Sequence, residues 1–366
     1  MKELSIKKIL VPIDFSKMSI DAIEVAKDIA RRCDAALHLV HACEVSYPVG
    51  FMAPGMPPAM PVITLPEEDV SALGRRLDAL GHHHGIPSQR CHLIKGTPAF
   101  DEVCQLAREI GADLIVTSTH GRTGLKHLFL GSTAERVVQH SPCPVFVARQ
   151  FGKSVHDTKP AHGLDRLLVP VDFSGCSLEG LRYAMQWADK FAAKIVLLHV
   201  VDLGPSFIAD GYAMYDLPKY REMARNEAER QMQEFVRLAK LGGRNFETAI
   251  LLGQAVDEIC TFAKKERVDL IITSTHGRTG LSHVLLGSTA ELVVRHAHCP
   301  VLVAPSHPET RKQSLSRGAK ARRPRGIFAK RSLIPSDLLT KRNRKVLRHV
   351  LPERRRTNKF RESHSA

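Results

Sequence analysis

Over the first 305 residues, short runs of apolar and β-branched residues alternate with longer stretches whose apolar positions recur every three or four residues. Residues 8–13 read as a buried strand, and residues 18–30 carry apolar side chains at helical spacing. Residues 37–42 are strand-like. "CHLIKG" then leads into a helix opened by "TPAFDEVCQLARE", where Thr97 is placed to cap and Pro98 suits the first turn. "DLIVT" (113–117) and "VFVA" (145–148) complete the series as buried strands. The order then repeats with "KIVLLHVVD", a long helix around 219–241, "FETAILLG", "AVDEICTFAKK", "DLIIT" and "VLVA". Strands that alternate with helices predict a parallel sheet covered on both faces, because parallel neighbours need crossover connections. The pattern leaves the order of the strands open.

The second series is a copy of the first. Residues 113–148 match residues 269–304 at 27 of 36 positions, and "KKILVPIDFS" (7–16) corresponds to "DRLLVPVDFS" (165–174). The body is therefore a duplicated domain, each copy of ordinary single-domain size. The expected organisation is a first domain over 1–150, a linker over 151–163 within the polar stretch 149–163, and a second domain over 164–305. A Pro-, Gly- and Met-rich insertion at 46–66 reads as a surface loop, with a lid as the sharper alternative.

Charge changes the picture at one end only. The chain has a formal net charge of +15, and residues 306–366 hold 19 Lys and Arg against 4 Asp and Glu, leaving 34 of each sign in residues 1–305. The basic character belongs to a tail with the composition of an unpacked segment. Either the tail contacts nucleic acid or an anionic surface, or it is a solvated extension with no such role. The eight cysteines form no C-x-x-C pair and read as reduced, packed thiols. With no apolar leader at the N-terminus and no run long enough to span a membrane, the expected location is cytoplasmic.

The candidate chemistry lies in the repeated "STHGRTGLKHLFLGSTAE" (118–135) and "STHGRTGLSHVLLGSTAE" (274–291). Each follows a strand directly, at the carboxyl edge where open parallel sheets bind ligands. Gly121, Gly124 and Gly131 let the backbone approach a ligand and permit positive φ. Ser132 and Thr133 stand where the next helix starts, and its free amides form an anion site. Arg122 supplies a fixed charge for phosphate oxygens. The second copy supplies Gly277, Arg278, Gly280, Gly287, Ser288 and Thr289. A plain turn followed by a capped helix would also use Gly, Ser and Thr. Asp14 and Asp172, just before Phe-Ser, suit either a helix cap or a ligand contact, with Ser16 and Ser174 the better caps.

The loop resembles the signature of the universal stress protein family: Gly, two residues, Gly, nine residues, then Gly-Ser or Gly-Thr. Gly121 is the second Gly, and residues 122–130 lead to Gly131-Ser132, while Ser118 and Ser274 stand in place of the first Gly. "VPIDFS" and "CPVFVA" resemble the family's first and last strands, and the likeness covers nearly all of residues 5–305, twice, as in tandem members. It implies two Rossmann-like α/β domains of the adenine nucleotide alpha hydrolase-like type, each a five-stranded parallel sheet with helices on both faces. It further implies a stress-response regulator that binds ATP, with or without Mg2+. On that basis Pro12, Ile13, Asp14 and Ala42 would line the base and ribose side, with Ser118, Gly121, Arg122, Gly131, Ser132 and Thr133 on the sugar and phosphates. The second set would be Pro170, Val171, Asp172, Val200, Ser274, Gly277, Arg278, Gly287, Ser288 and Thr289. Family members pair their closing strands into dimers, which implies an internal pseudo-dimer here and allows a homodimer.

Two rival readings remain: a slow ATPase or nucleotidyl-transfer enzyme of the same fold, and a scaffold without nucleotide, which the serines at 118 and 274 allow. No P-loop, paired carboxylates or nucleophile elbow repeats in both halves, so the expectation is no dedicated catalytic set and no resident metal. "GHHHG" (81–85) has no counterpart in the second half and reads as a polar turn after a helix rather than a metal site, while His120 and His276 fit packing beneath the loop, with ligand contact or proton transfer as the sharper alternative.

Overall fold

Runs such as Ile9-Leu10-Val11 and Leu114-Ile115-Val116 have no polar face, so each must be covered from both sides. In the structure, a computed structural model describing residues 4–43, 66–118, 131–149, 164–202, 217–274 and 287–305, these runs become central strands. The first half contributes β1 (Lys8–Pro12), α1 (Lys17–Cys33), β2 (Ala36–Cys43), α2 (Glu67–His83), β3 (Cys91–Lys95), α3 (Ala99–Ile110), β4 (Leu114–Ser118), α4 (Ser132–His140) and β5 (Val145–Ala148). The second contributes β6 (Arg166–Pro170), α5 (Gly175–Phe191), β7 (Lys194–Val201), α6 (Leu217–Ala239), β8 (Phe246–Leu252), α7 (Ala255–Lys265), β9 (Leu270–Ser274), α8 (Ser288–His296) and β10 (Val301–Ala304).

All ten strands form one sheet in the order β3-β2-β1-β4-β5-β10-β9-β6-β7-β8. Among the described residues, neighbours within each half are parallel, and the one antiparallel pair is β5 with β10 at the joint. On one side of the sheet Ile9, Val11 and Leu39 belong to the same apolar cluster as Ala22, Ile23 and Ala26 of α1 and Leu77 of α2. On the other, Leu10, Val40 and Ile115 cluster with Val103 and Leu106 of α3 and Val137 and Val138 of α4. The second half repeats this two-sided cover, giving two tandem Rossmann-like units. Both clusters run without a break through the joint.

One local expectation is corrected. Helix α3 has Pro98, not Thr97, at its N-cap, with no side-chain cap bond. A cap side chain must sit on the last extended residue, and that residue is Pro98 (φ −83°, ψ 148°). Arg149, the first residue of the polar stretch 149–163, packs against the second half. Its Nη2 donates to the Val294 carbonyl at 2.6 Å and also to the Arg295 carbonyl, in the last turn of α8. The insertion at 46–66, apart from Pro66 at the N-cap of α2, lies outside the described residues, as do 150–163 and the basic tail.

Candidate functional site

Strand β1 has β2 on one side and β4 on the other. The chain runs outward from β1 to β2 and β3, then returns across β1 to β4 and β5. Connections therefore leave the carboxyl ends of β1 and β4 in opposite directions and open a crevice between them, the switch point at which such sheets bind ligands. Strand β6, between β7 and β9, repeats the arrangement. Pro12, Ile13 and Asp14 stand at the end of β1, Ala42 near the end of β2, and Ser118, 8% exposed, closes β4. Pro170, Val171, Asp172, Val200 and Ser274 hold the same places in the second half. Because α4 and α8 connect parallel strands, their N-termini return to this same edge of the sheet. Gly121, Arg122, Gly277 and Arg278, with Gly124, Gly280, His120 and His276, lie outside the described residues.

The loop leaving β1 is built identically in the two halves. The Asp14 carboxylate accepts the Ser16 amide at 2.9 Å, and Asp172 accepts that of Ser174 at 3.0 Å, each closing a tight Asx turn. The hydroxyl oxygens of Ser16 and Ser174 accept the amides of Ser19 and Ser177 at 3.2 and 3.1 Å, so these serines cap α1 and α5. Between carboxylate and cap, Phe15 (φ 61°) and Phe173 (φ 64°) occupy the left-handed region, where a bulky side chain is strained. Behind the loop, His41 Nδ1 lies 2.6 Å from the Ile13 carbonyl and His199 Nδ1 lies 2.7 Å from that of Val171. A carbonyl can only accept, so Nδ1 carries the proton in both. The imidazoles pack on Phe15 and Phe173 with ring centroids 4.7 and 4.2 Å apart. Sequence reasoning missed all four residues. The signal was present: a histidine follows Ile13 and Val171 at the same interval of 28 residues.

The other wall is the start of α4 and of α8. Gly131 and Gly287 are the N-caps, with φ of −57° and −55°. The positive φ expected at Gly131 is therefore not used, since any residue adopts these angles. What glycine leaves out is a capping side chain: neither helix has a side-chain cap bond. Ser132, Thr133, Ser288 and Thr289 are exposed beside these ends. Thus α1 and α5 are closed by their own serines, whereas the glycine caps of α4 and α8 contribute no side-chain cap.

The remaining candidates have ordinary partners. His82 and His83 end α2, and His84 Nδ1 meets Glu24 of α1 at 2.8 Å. No group of three metal-ligating side chains occurs among the described residues. All eight cysteines are free, and burial pushes the thiols of Cys104 and Cys299 up to about 12 and Cys143 up to about 11, which makes them poor nucleophiles. Among the described residues no helix is long and apolar enough to cross a membrane.

The family model described as "Universal stress protein family" matches residues 5–149 and again 163–305. Universal stress protein MJ0531 of Methanocaldococcus jannaschii is 36% identical over 138 residues, covering 38% of this chain and 80% of its own length. A universal stress protein of Mycolicibacterium smegmatis is 25% identical over 304 residues, covering 81% of this chain and 96% of its own. The crystal structure of a universal stress protein from Archaeoglobus fulgidus superposes with a TM-score of 0.54 at 19% identity, over 81% of this chain and 98% of that one, a likeness of fold.

Proposed function

Because the chain belongs to the universal stress protein family, with one copy of the domain in each half, we propose that each half binds an adenine nucleotide in its switch-point crevice and that the protein acts as a regulator in stress responses. One observation carries this reading. In both halves a carboxylate-bearing turn, Asp14 or Asp172, and a helix whose N-cap is a glycine, with no side chain of its own to accept the first-turn amides, lie at the same edge of the sheet. A nucleotide has chemistry for both walls: hydroxyls that donate to a carboxylate, and phosphates that accept from amides and from Ser132 and Thr133. Arg122 and Arg278 would add charge to the phosphate end, and Pro12, Ala42, Pro170 and Val200 would supply apolar surface to the base. ATP fits this set, and Mg2+ would enter with its phosphates.

The two domains, 1–150 and 164–305, act as an internal pseudo-dimer in this reading, through pairing of their closing strands. The basic tail would supply an electrostatic contact for a polyanion. The test is mass spectrometry of small molecules released from the purified full-length chain, followed by calorimetric titration with ATP. Two sites per chain are expected. Folded protein that releases no nucleotide and gives no heat with millimolar ATP overturns the proposal.

A further inference from the structure

The nucleotide reading leaves one duplicated arrangement unused, the imidazole behind each carboxylate-bearing turn. We propose that His41 and His199 are positioning residues for the ribose side of the two clefts, fixing the turns so that Asp14 and Asp172 receive a sugar hydroxyl. This rests on the nucleotide reading, and its test separates the two.

A phenylalanine in the left-handed region persists only where its surroundings over-determine it. Here the determinants can be named. The Ile13 amide donates to the Val40 carbonyl at 2.7 Å and its carbonyl accepts from His41, so both polar groups of the residue before Asp14 are held by β2. Val171 is held in the same way, by Leu198 at 2.8 Å and by His199. Downstream, the Asp-to-Ser turn and the serine cap fix the entry to the helix. The imidazole acts on both sides of the carboxylate at once, holding the carbonyl before it and supporting the phenyl ring after it.

The rest of the surroundings differ between halves. The Arg76 guanidinium lies 4.2 Å from the Phe15 ring centroid, whereas Phe173 meets the Phe235 ring at 5.9 Å. Leu39-Val40-His41-Ala42 corresponds to Leu197-Leu198-His199-Val200 in the duplication. Imidazole, phenylalanine and carboxylate stay together while their neighbours change. Loss of the imidazole would strip a buried carbonyl of its partner and let Phe15 relax toward negative φ, turning Asp14 away from the crevice.

A merely structural histidine would affect every ligand of the cleft alike, so the experiment compares ATP with inorganic tripolyphosphate, which lacks the ribose. Calorimetric titrations of the full chain are expected to show ATP affinity falling about tenfold at one of two sites in His41→Leu and at the other in His199→Leu. Tripolyphosphate binding should be unchanged. His41→Asn keeps an N–H close to the Nδ1 position and is expected to retain most of the affinity for ATP. Should His41→Leu fail to fold by circular dichroism, His41→Gln, with its donor one bond too far, replaces it with the same ATP-selective loss expected. Equal losses for the two ligands, undiminished ATP binding, or an Asn variant no better than Leu would each overturn the positioning role. Failure of the nucleotide reading shows instead in the unaltered protein, as no binding of either ligand.

Discussion

Among individual residues, His38 and His92 show most directly how burial sets a protonation state. They sit on β2 and β3 with Nδ1 and Nε2 3.0 Å apart and rings stacked at 5.3 Å, so one proton lies between them and a second would oppose it. Burial and then the facing His92 bring His38 down to about 4, with Arg90 and Lys8 adding in the same direction, and burial also lowers His92. The sign follows: between about 4 and the ordinary histidine value near 6.5, the unfolded chain binds protons that the folded chain refuses. Stability therefore falls as the solution is acidified through that window. The second half holds Val196 and Ala249 at the equivalent places. His38→Val should flatten the loss of urea midpoint between pH 7 and pH 4.5 relative to the unaltered protein, while carboxylate titration remains in both. At the proposed phosphate end, Ser132→Ala combined with Thr133→Ala should weaken ATP at one of two calorimetric sites by about tenfold, as two donors are lost. An unchanged isotherm would mean that the hydroxyls face away from the ligand.

At the level of elements, the helices differ in where they send their terminal polar groups. Helices α1 and α5 are capped within the chain by Ser16 and Ser174, and those caps were legible because the serine of "DFS" stands directly before an apolar periodic run. The end of α8 is closed from far away in sequence. Arg149, just past β5, donates into the last-turn carbonyls of Val294 and Arg295, and its own burial lowers its pKa. Arg295 in turn reaches Glu135 of α4 at 3.4 Å and Glu291 at 2.8 Å. Nothing local announces such contacts: Arg149 opens a polar stretch after the last strand of its domain, and only the fold brings it to α8. Arg149→Ala should destabilise the chain by about 1.5–3 kcal/mol, the range for a lost hydrogen bond from a charged group, measured by chemical denaturation. Loss of a few tenths would show the staple to be solvated. Strands were legible for the opposite reason, since burial on both faces writes a continuous apolar run into the sequence. Their order was not, because partners are chosen by register between distant segments. The same blindness hid His41 and His199, which read as polar breaks in apolar strands although their partners lie 28 residues away in each half.

For the molecule as a whole, the joint between halves obeys the duplication itself. In the antiparallel pairing Val145 meets Val303, Phe146 meets Leu302 and Val147 meets Val301. Phe146 and Leu302 are equivalent positions of the two copies, so the pairing is centred on a residue and its own duplicate, as a local twofold requires. It also removes two sheet edges that would otherwise present unpaired amides and carbonyls. The side chains over the joint break the symmetry. Phe146 stacks on Trp187 of α5 at 6.1 Å, Trp187 on Phe191 at 5.1 Å, and the Arg32 guanidinium of α1 lies 5.6 Å from the Phe191 ring centroid. Trp187, the single tryptophan, is 1% exposed and reports on this contact alone. If the joint makes the two halves one cooperative unit, Trp187 fluorescence and far-ultraviolet circular dichroism should lose their native signals at the same denaturant concentration. Phe146→Ala should cost about 3 kcal/mol, a typical value for a buried aromatic, and shift the tryptophan emission to the red. Two probes that separate in the unaltered chain would show halves that fold independently and merely touch, because a shared core ties the junction's unfolding to that of each half.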